Sequence, residues 1–248
     1  MREILYGRQP VRECLRARRR HIHQLVLAEG VGKKGVIAEI IDLAADLKIP
    51  LIHVPRPRLD GIAKVNQGVA LEVAGYPYVE VPDILRRARK LAEQPFILAL
   101  DHLHDPHNLG ALLRTAEVVG AHGAVIPHRR AAEVTPAVVS ASAGGSEHLR
   151  VAQVTNLAQT LKALKTEGLW VVGLVSHPDA QLYHQVDLNL PVVLVVGAED
   201  QGLSRLVRDT CDLLVQLPMR GQIESLNASV AGGIALYALL AARRFSVE

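Results

Sequence analysis

Short apolar runs separated by helical patterns occupy the first third of this chain. Residues 24–27, Leu51–Val54 and the sequence GVALEVAG have the length and composition of strands. Residues 36–47 and 59–64 show the apolar spacing of amphipathic helices, and a basic helix is expected before residue 24. The pattern predicts a compact α/β domain over residues 1–75.

Longer, continuous apolar runs begin at Phe96 and alternate with helical segments. They are FILALD, GAVIP, LWVVGLV, VVLVVG and LLVQLP, and helices are expected over 108–120 and 227–243. Apolar strands joined by helical crossovers are typical of a parallel sheet covered on both faces. We therefore expect a charged, helical linker at 76–94 and a second α/β domain at 95–248.

Ligands of parallel sheets bind beyond the carboxyl ends of the strands. The residues that follow Asp101, Gly197 and Leu217 are therefore the candidate site. After the first of these strands, the sequence DPHNLGALLRTA places Asn108 near the start of a helix and Arg114 further along it. An arginine among apolar helical neighbours is uncommon and suggests a functional role.

The two later segments also carry polar side chains just after a strand. In VVLVVGAEDQGLS, Gly197 allows the backbone to approach a ligand, and Glu199 stands in a turn. In LPMRGQIESLNASVA, Ser225 and Asn227 precede a helix rich in small residues. A purely structural explanation also exists, because Asn108 and either Ser225 or Asn227 are good helix caps and Glu199 is an ordinary turn residue.

The positive charge lies mainly in the first domain. The net charge is only +3, but residues 1–75 hold thirteen Lys/Arg and eight Asp/Glu, against fifteen and seventeen in 76–248. Arg16, Arg18, Arg19 and Arg20 form a cluster that could attract an RNA backbone. A solvated helix face is the alternative explanation for this cluster.

Cysteine content and hydropathy limit the class of protein further. Cys14 and Cys211 are far apart and outside any CxxC spacing, so neither a disulfide framework nor a zinc cluster is supported. The first residues lack the apolar segment of a signal peptide. The longest apolar stretch, 228–242, is shorter than the roughly 18 residues of a membrane span. We expect a cytoplasmic protein without a membrane segment.

Taken together and in this order, the three segments resemble the sequence motifs of the SpoU family, also called TrmH, of RNA ribose 2'-O-methyltransferases. The similarity extends through nearly the whole chain and is greatest to the RlmB-type enzymes of 23S rRNA. It implies a SPOUT-type parallel-sheet domain with a trefoil knot in its C-terminal part, a feature that periodicity alone would not suggest. It also implies that residues 1–75 form an L30e-like, RNA-binding α/β domain.

The resemblance further implies an activity and a site. The activity is S-adenosylmethionine-dependent 2'-O-methylation of a ribose, with a guanosine of 23S rRNA as the favoured target, carried out by a homodimer without a metal. The implied catalytic residues are Asn108, Arg114, Glu199, Ser225 and Asn227. The implied cofactor contacts are Gly197, Leu217, Met219 and Leu226.

Other functions remain as alternatives. A nucleotide-binding oxidoreductase would suit the sheet, but no GxGxxG follows a strand, and no GxxxxGK[ST] of a P-loop enzyme occurs. A non-catalytic RNA-binding or ribosome-assembly protein would suit the basic first domain. Within the family, a tRNA or another rRNA site is the alternative substrate.

Overall fold

The computed structural model describes residues 2–177, 179–198, 201–223 and 225–243. Contacts within the chain divide it into two compact units. The first consists of Met1–Pro77 together with Val134–His148, and the second of Tyr78–Glu133 together with Leu149–Glu248.

The first seventy-seven residues alternate strands and helices around one small sheet. The elements are β1 (Arg2–Tyr6), α1 (Arg8–Ala17), β2 (Ile22–Ala28), α2 (Val36–Asp46), β3 (Leu51–Val54), α3 (Arg56–Asp60) and β4 (Val69–Ala74). The strand order is β1-β4-β2-β3, in which β4 is antiparallel to both neighbours and β2 is parallel to β3. The core contains Leu5, Leu15, Leu25 and Leu71, all fully buried.

The rest of the chain builds a larger sheet. The first elements are α4 (Val81–Leu91), β5 (Phe96–Asp101), α5 (Pro106–Val118) and β6 (Gly123–Pro127). Two short helices, α6 (Pro136–Ala141) and α7 (Gly145–His148), then belong to the first unit. The later elements are β7 (Val151–Val154), α8 (Leu157–Thr166), β8 (Trp170–Leu174), β9 (Gln181–Leu182), a 3-10 helix at Tyr183–Gln185, β10 (Val192–Gly197), α9 (Arg205–Arg208), β11 (Leu213–Gln216) and α10 (Ala228–Ala242).

The second unit is a seven-stranded parallel sheet covered by helices on both faces. Its strand order is β7-β6-β5-β10-β8-β11-β9, and every pairing between neighbours is parallel. On one face, Ile97 and Val195 share a core cluster with Leu161 of α8. On the other face α10 packs against β10 and α5, and a Cβ at Gly232 would lie 2.5 Å from Leu112 Cδ2. None of the described helices is long and apolar enough to cross a membrane.

Helix α4 corrects the expectation of a linker at 76–94. Ile84 and Ala88 are fully buried, and Ile84 belongs to the same core cluster as the central strands. A hydrogen bond from Arg150 Nη1 to the carbonyl of Asp83 (3.3 Å) further ties this helix to the second unit. The charged residues occupy only its exposed face, so α4 is a packed element of the sheet domain.

Helices α6 and α7 belong to the first unit, although the sequence placed them in the second domain. Arg20 and Glu147 form an ion pair of 2.8 Å with side chains 0% and 1% exposed, and Glu3 contacts Arg20 Nη1 at 2.6 Å. Tyr76 donates its hydroxyl hydrogen to the carbonyl of Ser146 (2.8 Å). These buried polar contacts fix Val134–His148 to the first sheet.

Candidate active site

Three loops of the second unit start from the same edge of its sheet. Strands β5 and β10 are paired so that Asp101 is opposite Gly197, and β11 is parallel to them two strands beyond β10. The carboxyl ends of these strands therefore lie side by side, as the sequence predicted.

Asp101 connects the first of these loops to the second. It is fully buried, and its Oδ2 accepts a hydrogen bond from the backbone N–H of Ser204 (2.7 Å). Its Oδ1 lies 2.5 Å from Nδ1 of His102. Only its position at the end of a strand marks Asp101 in the sequence, but this carboxylate holds the segment after Gly202 against β5.

Helix α5 is capped by Asp105, whose side chain accepts a hydrogen bond from the backbone N–H of His107 (2.9 Å). The structural explanation of Asn108 as the cap is therefore wrong. Asn108 lies inside the first turn and is 8% exposed. A polar side chain buried here calls for specific partners.

Asn227 both caps α10 and contacts Asn108. Its Oδ1 accepts hydrogen bonds from the backbone N–H groups of Ser229 (2.9 Å) and Val230 (3.3 Å). Its Nδ2 donates to Oδ1 of Asn108 (3.0 Å). The close packing of α10 on α5 thus brings together two of the predicted site residues, which are 119 positions apart in sequence.

An apolar cleft opens beside this asparagine pair. Gly197, Leu217, Met219 and Leu226, the four predicted cofactor contacts, all line it, and so does Ser225. At Gly197 a Cβ would lie only 2.2 Å from the carbonyl carbon and oxygen of Gly202. Glycine is required because the following loop folds back onto the strand, where the N–H of Gly202 donates to the carbonyl of Ala198 (2.9 Å).

The asparagine pair and the cleft account for three of the five predicted catalytic residues, and Arg114 and Glu199 remain. Arg114 is exposed on α5. No ion pair or side-chain hydrogen bond joins it to another residue in the part of the chain that the structure describes. Glu199 lies outside the described residues.

The basic cluster of the first unit is largely neutralised by its own chain. Arg20 is buried in its ion pair with Glu147, so the expectation that it contacts RNA does not agree with the structure. Arg16 pairs with Glu13 and Glu39. Arg19 donates to the carbonyls of Glu147 (3.2 Å) and Pro77 (3.1 Å).

Arg18 is exposed, and its side chain forms no ion pair with any of the described residues. It ends α1 in a left-handed conformation, with φ of 52°. A groove of the first unit, lined by Arg8, Arg56 and Gln67, was not predicted from the sequence.

Both cysteine thiols are poor nucleophiles. Burial raises the pKa of the Cys14 thiol, and burial followed by the charge of Asp212 raises the pKa of Cys211 to about 12. The thiolate is the reactive form, so neither side chain is suited to nucleophilic catalysis at neutral pH. Within the described ranges, no group of three or more His, Cys, Asp or Glu is placed to hold a metal ion.

The fold and the cleft are typical of an α/β protein with a ligand site at the carboxyl edge of a parallel sheet. The chain belongs to the SpoU rRNA methylase family, whose profile matches residues 95–237, over half of the chain. A second profile, described as RNA 2'-O ribose methyltransferase substrate binding, matches residues 4–79. The predicted family is confirmed, and the chain is an RNA methyltransferase of this family.

Individual relatives agree with this assignment. A putative TrmH family tRNA/rRNA methyltransferase of Bacillus subtilis is 45% identical, over 95% of this chain and 94% of its own length. The SpoU methyltransferase AviRb of Streptomyces viridochromogenes, solved in complex with AdoMet, has the same fold, with a TM-score of 0.81, 24% identity and coverage of 98% and 90%. A solved RNA 2'-O ribose methyltransferase has a TM-score of 0.77 at 26% identity, with coverage of 98% and 89%.

Proposed function

We propose that this chain transfers a methyl group from S-adenosylmethionine to a ribose 2'-hydroxyl of structured RNA, with a guanosine of 23S rRNA as the favoured target. The observation that carries the proposal is the junction of an apolar cleft with the hydrogen-bonded pair Asn108 and Asn227. One half of this junction suits a cofactor, and the other suits a ribose.

The cleft has the chemistry to hold S-adenosylmethionine. Met219 and Leu226 are large apolar side chains that remain 41% exposed there, and an adenine or methionine moiety would cover them. The absence of a side chain at Gly197 keeps the backbone close to the ligand. When bound, the sulfonium supplies an activated methyl group.

The protein itself must align a weak nucleophile and stabilise charge that develops on its oxygen. Asn227 fixes the orientation of the Asn108 amide through the 3.0 Å hydrogen bond. We assign Asn108 the role of orienting the ribose, with Ser225 contributing its hydroxyl from the wall of the cleft. Glu199 is assigned the role of holding one of these polar groups.

Arg114 is assigned to the reacting ribose or its phosphate. A guanidinium stays protonated in proteins, so it is unsuited to act as a general base. Its contribution is charge stabilisation and alignment, and the hydroxyl proton leaves to water, to a phosphate or to a neighbouring side chain.

A homodimer would explain the exposed apolar face of α10. Val230, Ile234 and Tyr237 are 49%, 41% and 52% exposed. They line one surface together with Thr115 of α5, the neighbour of Arg114. Dimerisation through this face would bring Arg114 to the subunit interface, which agrees with an active site completed there. Ile234→Glu should yield monomers in light scattering, whereas an unchanged dimer would place the interface elsewhere.

The finer features of the fold belong to the same proposal. Residues 1–75 are proposed to be L30e-like and to bind the RNA, supported by the substrate-binding profile over 4–79. The segment from β8 to α10 is proposed to form a trefoil knot, supported by the insertion of β10 between β5 and β8 while β11 pairs beyond β8. An experimental electron-density map traced through residues 170–243 tests the knot.

The experiment that tests the function is methyl transfer in vitro. The purified chain is incubated with methyl-labelled S-adenosylmethionine and separate preparations of 23S rRNA, 16S rRNA and tRNA, and the RNA is then hydrolysed in alkali. A ribose 2'-O-methyl group blocks alkaline cleavage, so the label should appear in alkali-resistant dinucleotides from 23S rRNA. Labelled dinucleotides from tRNA alone would mean that the substrate is a tRNA. If no RNA received the label, a non-catalytic RNA-binding role would be favoured.

A further inference from the structure

The loop that follows β6 carries three exposed basic side chains at the edge of the sheet that holds the cleft. His128, Arg129 and Arg130 are consecutive and exposed. Because β6 is parallel to β5, its carboxyl end lies at the same edge as Asp101. In the strand order β6 is one place from β5 and two from β10, about 10 Å across the sheet.

This loop is fixed to the segment that leads into α5. The backbone N–H of Ala132 donates to the carbonyl of Leu103 (2.7 Å), and the N–H of His128 donates to the carbonyl of Val154 (2.8 Å). Arg130 has a left-handed backbone, with φ of 54°. Residues other than glycine seldom adopt this backbone conformation, and it is retained mainly where the surroundings or a function require it.

The two arginines of the loop have no side-chain partner among the described residues. Neither Arg129 nor Arg130 takes part in an ion pair or side-chain hydrogen bond there. This is opposite to the basic cluster of the first unit, in which Arg16 and Arg20 are paired with carboxylates.

A groove with both polar and apolar residues in its wall adjoins the loop. His128 lines it together with Gln153, Thr155 and Asn156, between α4 and α8. The Nε2 atom of Gln153 is buried and has no hydrogen-bond partner in the part of the chain that the structure describes. A buried donor without an acceptor is unfavourable, so a ligand that offers an oxygen or ring nitrogen would be bound here at little further cost in desolvation.

We propose that His128, Arg129 and Arg130 bind the phosphate backbone of the substrate RNA next to the target nucleotide, and that Gln153 donates a hydrogen bond to a flanking nucleotide in the adjoining groove. The proposal rests on the proposed function, because it assumes that RNA is the substrate. It assigns much of the electrostatic contact with RNA to the second unit rather than to the first. Two planar guanidinium groups side by side suit phosphate oxygens well.

The first test is the salt dependence of RNA binding by the full chain. For Arg129→Gln/Arg130→Gln, the slope of log affinity against log salt should become shallower by about 1.4 to 1.8, which is two phosphate contacts at 0.7 to 0.9 each. The KM for RNA should rise at least tenfold, while kcat at saturating RNA and the affinity for S-adenosylmethionine stay unchanged. Arg129→Lys/Arg130→Lys should restore the slope, because it keeps the charge.

A matched control removes two charges from the opposite edge of the same unit. Arg87 and Lys90 are exposed near the end of α4 that leads into the start of β5. Arg87→Gln/Lys90→Gln should leave slope and KM as in the wild type. Equal effects of both double variants would mean that only net charge matters, and would overturn the proposal.

Gln153 is tested by a change that preserves the charge. Gln153→Met should raise the KM for RNA severalfold with an unchanged salt slope, and an unchanged KM would remove Gln153 from the RNA site. The wild type distinguishes the two levels of the proposal. If it methylates RNA while Arg129→Gln/Arg130→Gln retains the wild-type slope and KM, the loop proposal alone fails; if the wild type methylates no RNA, the proposed function fails first.

Discussion

Adding one methyl group at Gly197 should disable the cofactor cleft. In Gly197→Ala the new Cβ would lie 2.2 Å from the carbonyl carbon of Gly202, and ordinary contact begins at 3.4 Å, so the loop must move by about 1.2 Å. The obstructing atoms are backbone and cannot rotate away. The displacement should break the hydrogen bond from Gly202 to Ala198 and change the shape of the cleft wall.

The expected cost follows from this geometry. Overpacking of this kind typically destabilises a protein by about 1–3 kcal/mol. If a cost of this size falls on the cofactor complex, the Kd for S-adenosylmethionine rises roughly five- to 150-fold, since 1.4 kcal/mol is about a factor of ten. Isothermal titration calorimetry measures the Kd, and urea unfolding measures the stability. Gly61→Ala is the control, because a Cβ there meets nothing closer than 3.5 Å. A folded Gly197→Ala protein with the wild-type Kd would refute the reasoning.

Three further substitutions test separate parts of the structure. Arg114→Ala should lower kcat by about two to three powers of ten with unchanged cofactor affinity, and partial recovery in Arg114→Lys would favour charge over bidentate alignment; full activity would remove Arg114 from the mechanism. Glu147→Gln should lower the free energy of unfolding in urea by about 1.5–3 kcal/mol, because the buried Arg20 loses its buried carboxylate partner and keeps only Glu3; a loss below about 1 kcal/mol would contradict this. Burial lowers the pKa of His122, so below about pH 6.5 the unfolded chain binds a proton more readily than the folded chain, and the protein becomes less stable as the pH decreases. Between pH 7 and pH 5.5, the melting temperature of His122→Asn should therefore decrease less than that of the wild type. An equal decrease would assign the acid sensitivity to other groups.

Continuous apolar strands were the part of the fold that the sequence predicted best. Phe96–Asp101 has the predicted bounds, because a strand buried on both faces forms a nearly continuous apolar run. Leu51–Val54 also has the predicted bounds, although it is an edge strand in which His53 is exposed. The sequence could not tell which core α6 belongs to. Val138 and Val139 are apolar in either case, and the pair of Arg20 and Glu147 that fixes this segment spans 127 positions.

The site was predicted as a set of residues rather than as an arrangement. Family resemblance identified Asn108 and Asn227, but their mutual hydrogen bond depends on the packing of α10 on α5, which no local pattern specifies. The cap of α5 could not be chosen from the sequence either, because Asp105 and Asn108 are both suitable cap residues and lie three positions apart. Nor could the sequence show that Arg129 and Arg130 form no ion pair among the described residues, because ion pairs such as that of Arg20 and Glu147 join residues far apart in the chain.

The position of the transferred methyl group tests the central claim most directly. RNA is incubated with the purified chain and S-adenosylmethionine that carries a trideuterated methyl group, digested to nucleosides, and fragmented at the glycosidic bond in a mass spectrometer. The account predicts the deuterated methyl group on the ribose fragment and an unlabelled base fragment. A deuterated methyl group on the base would contradict it.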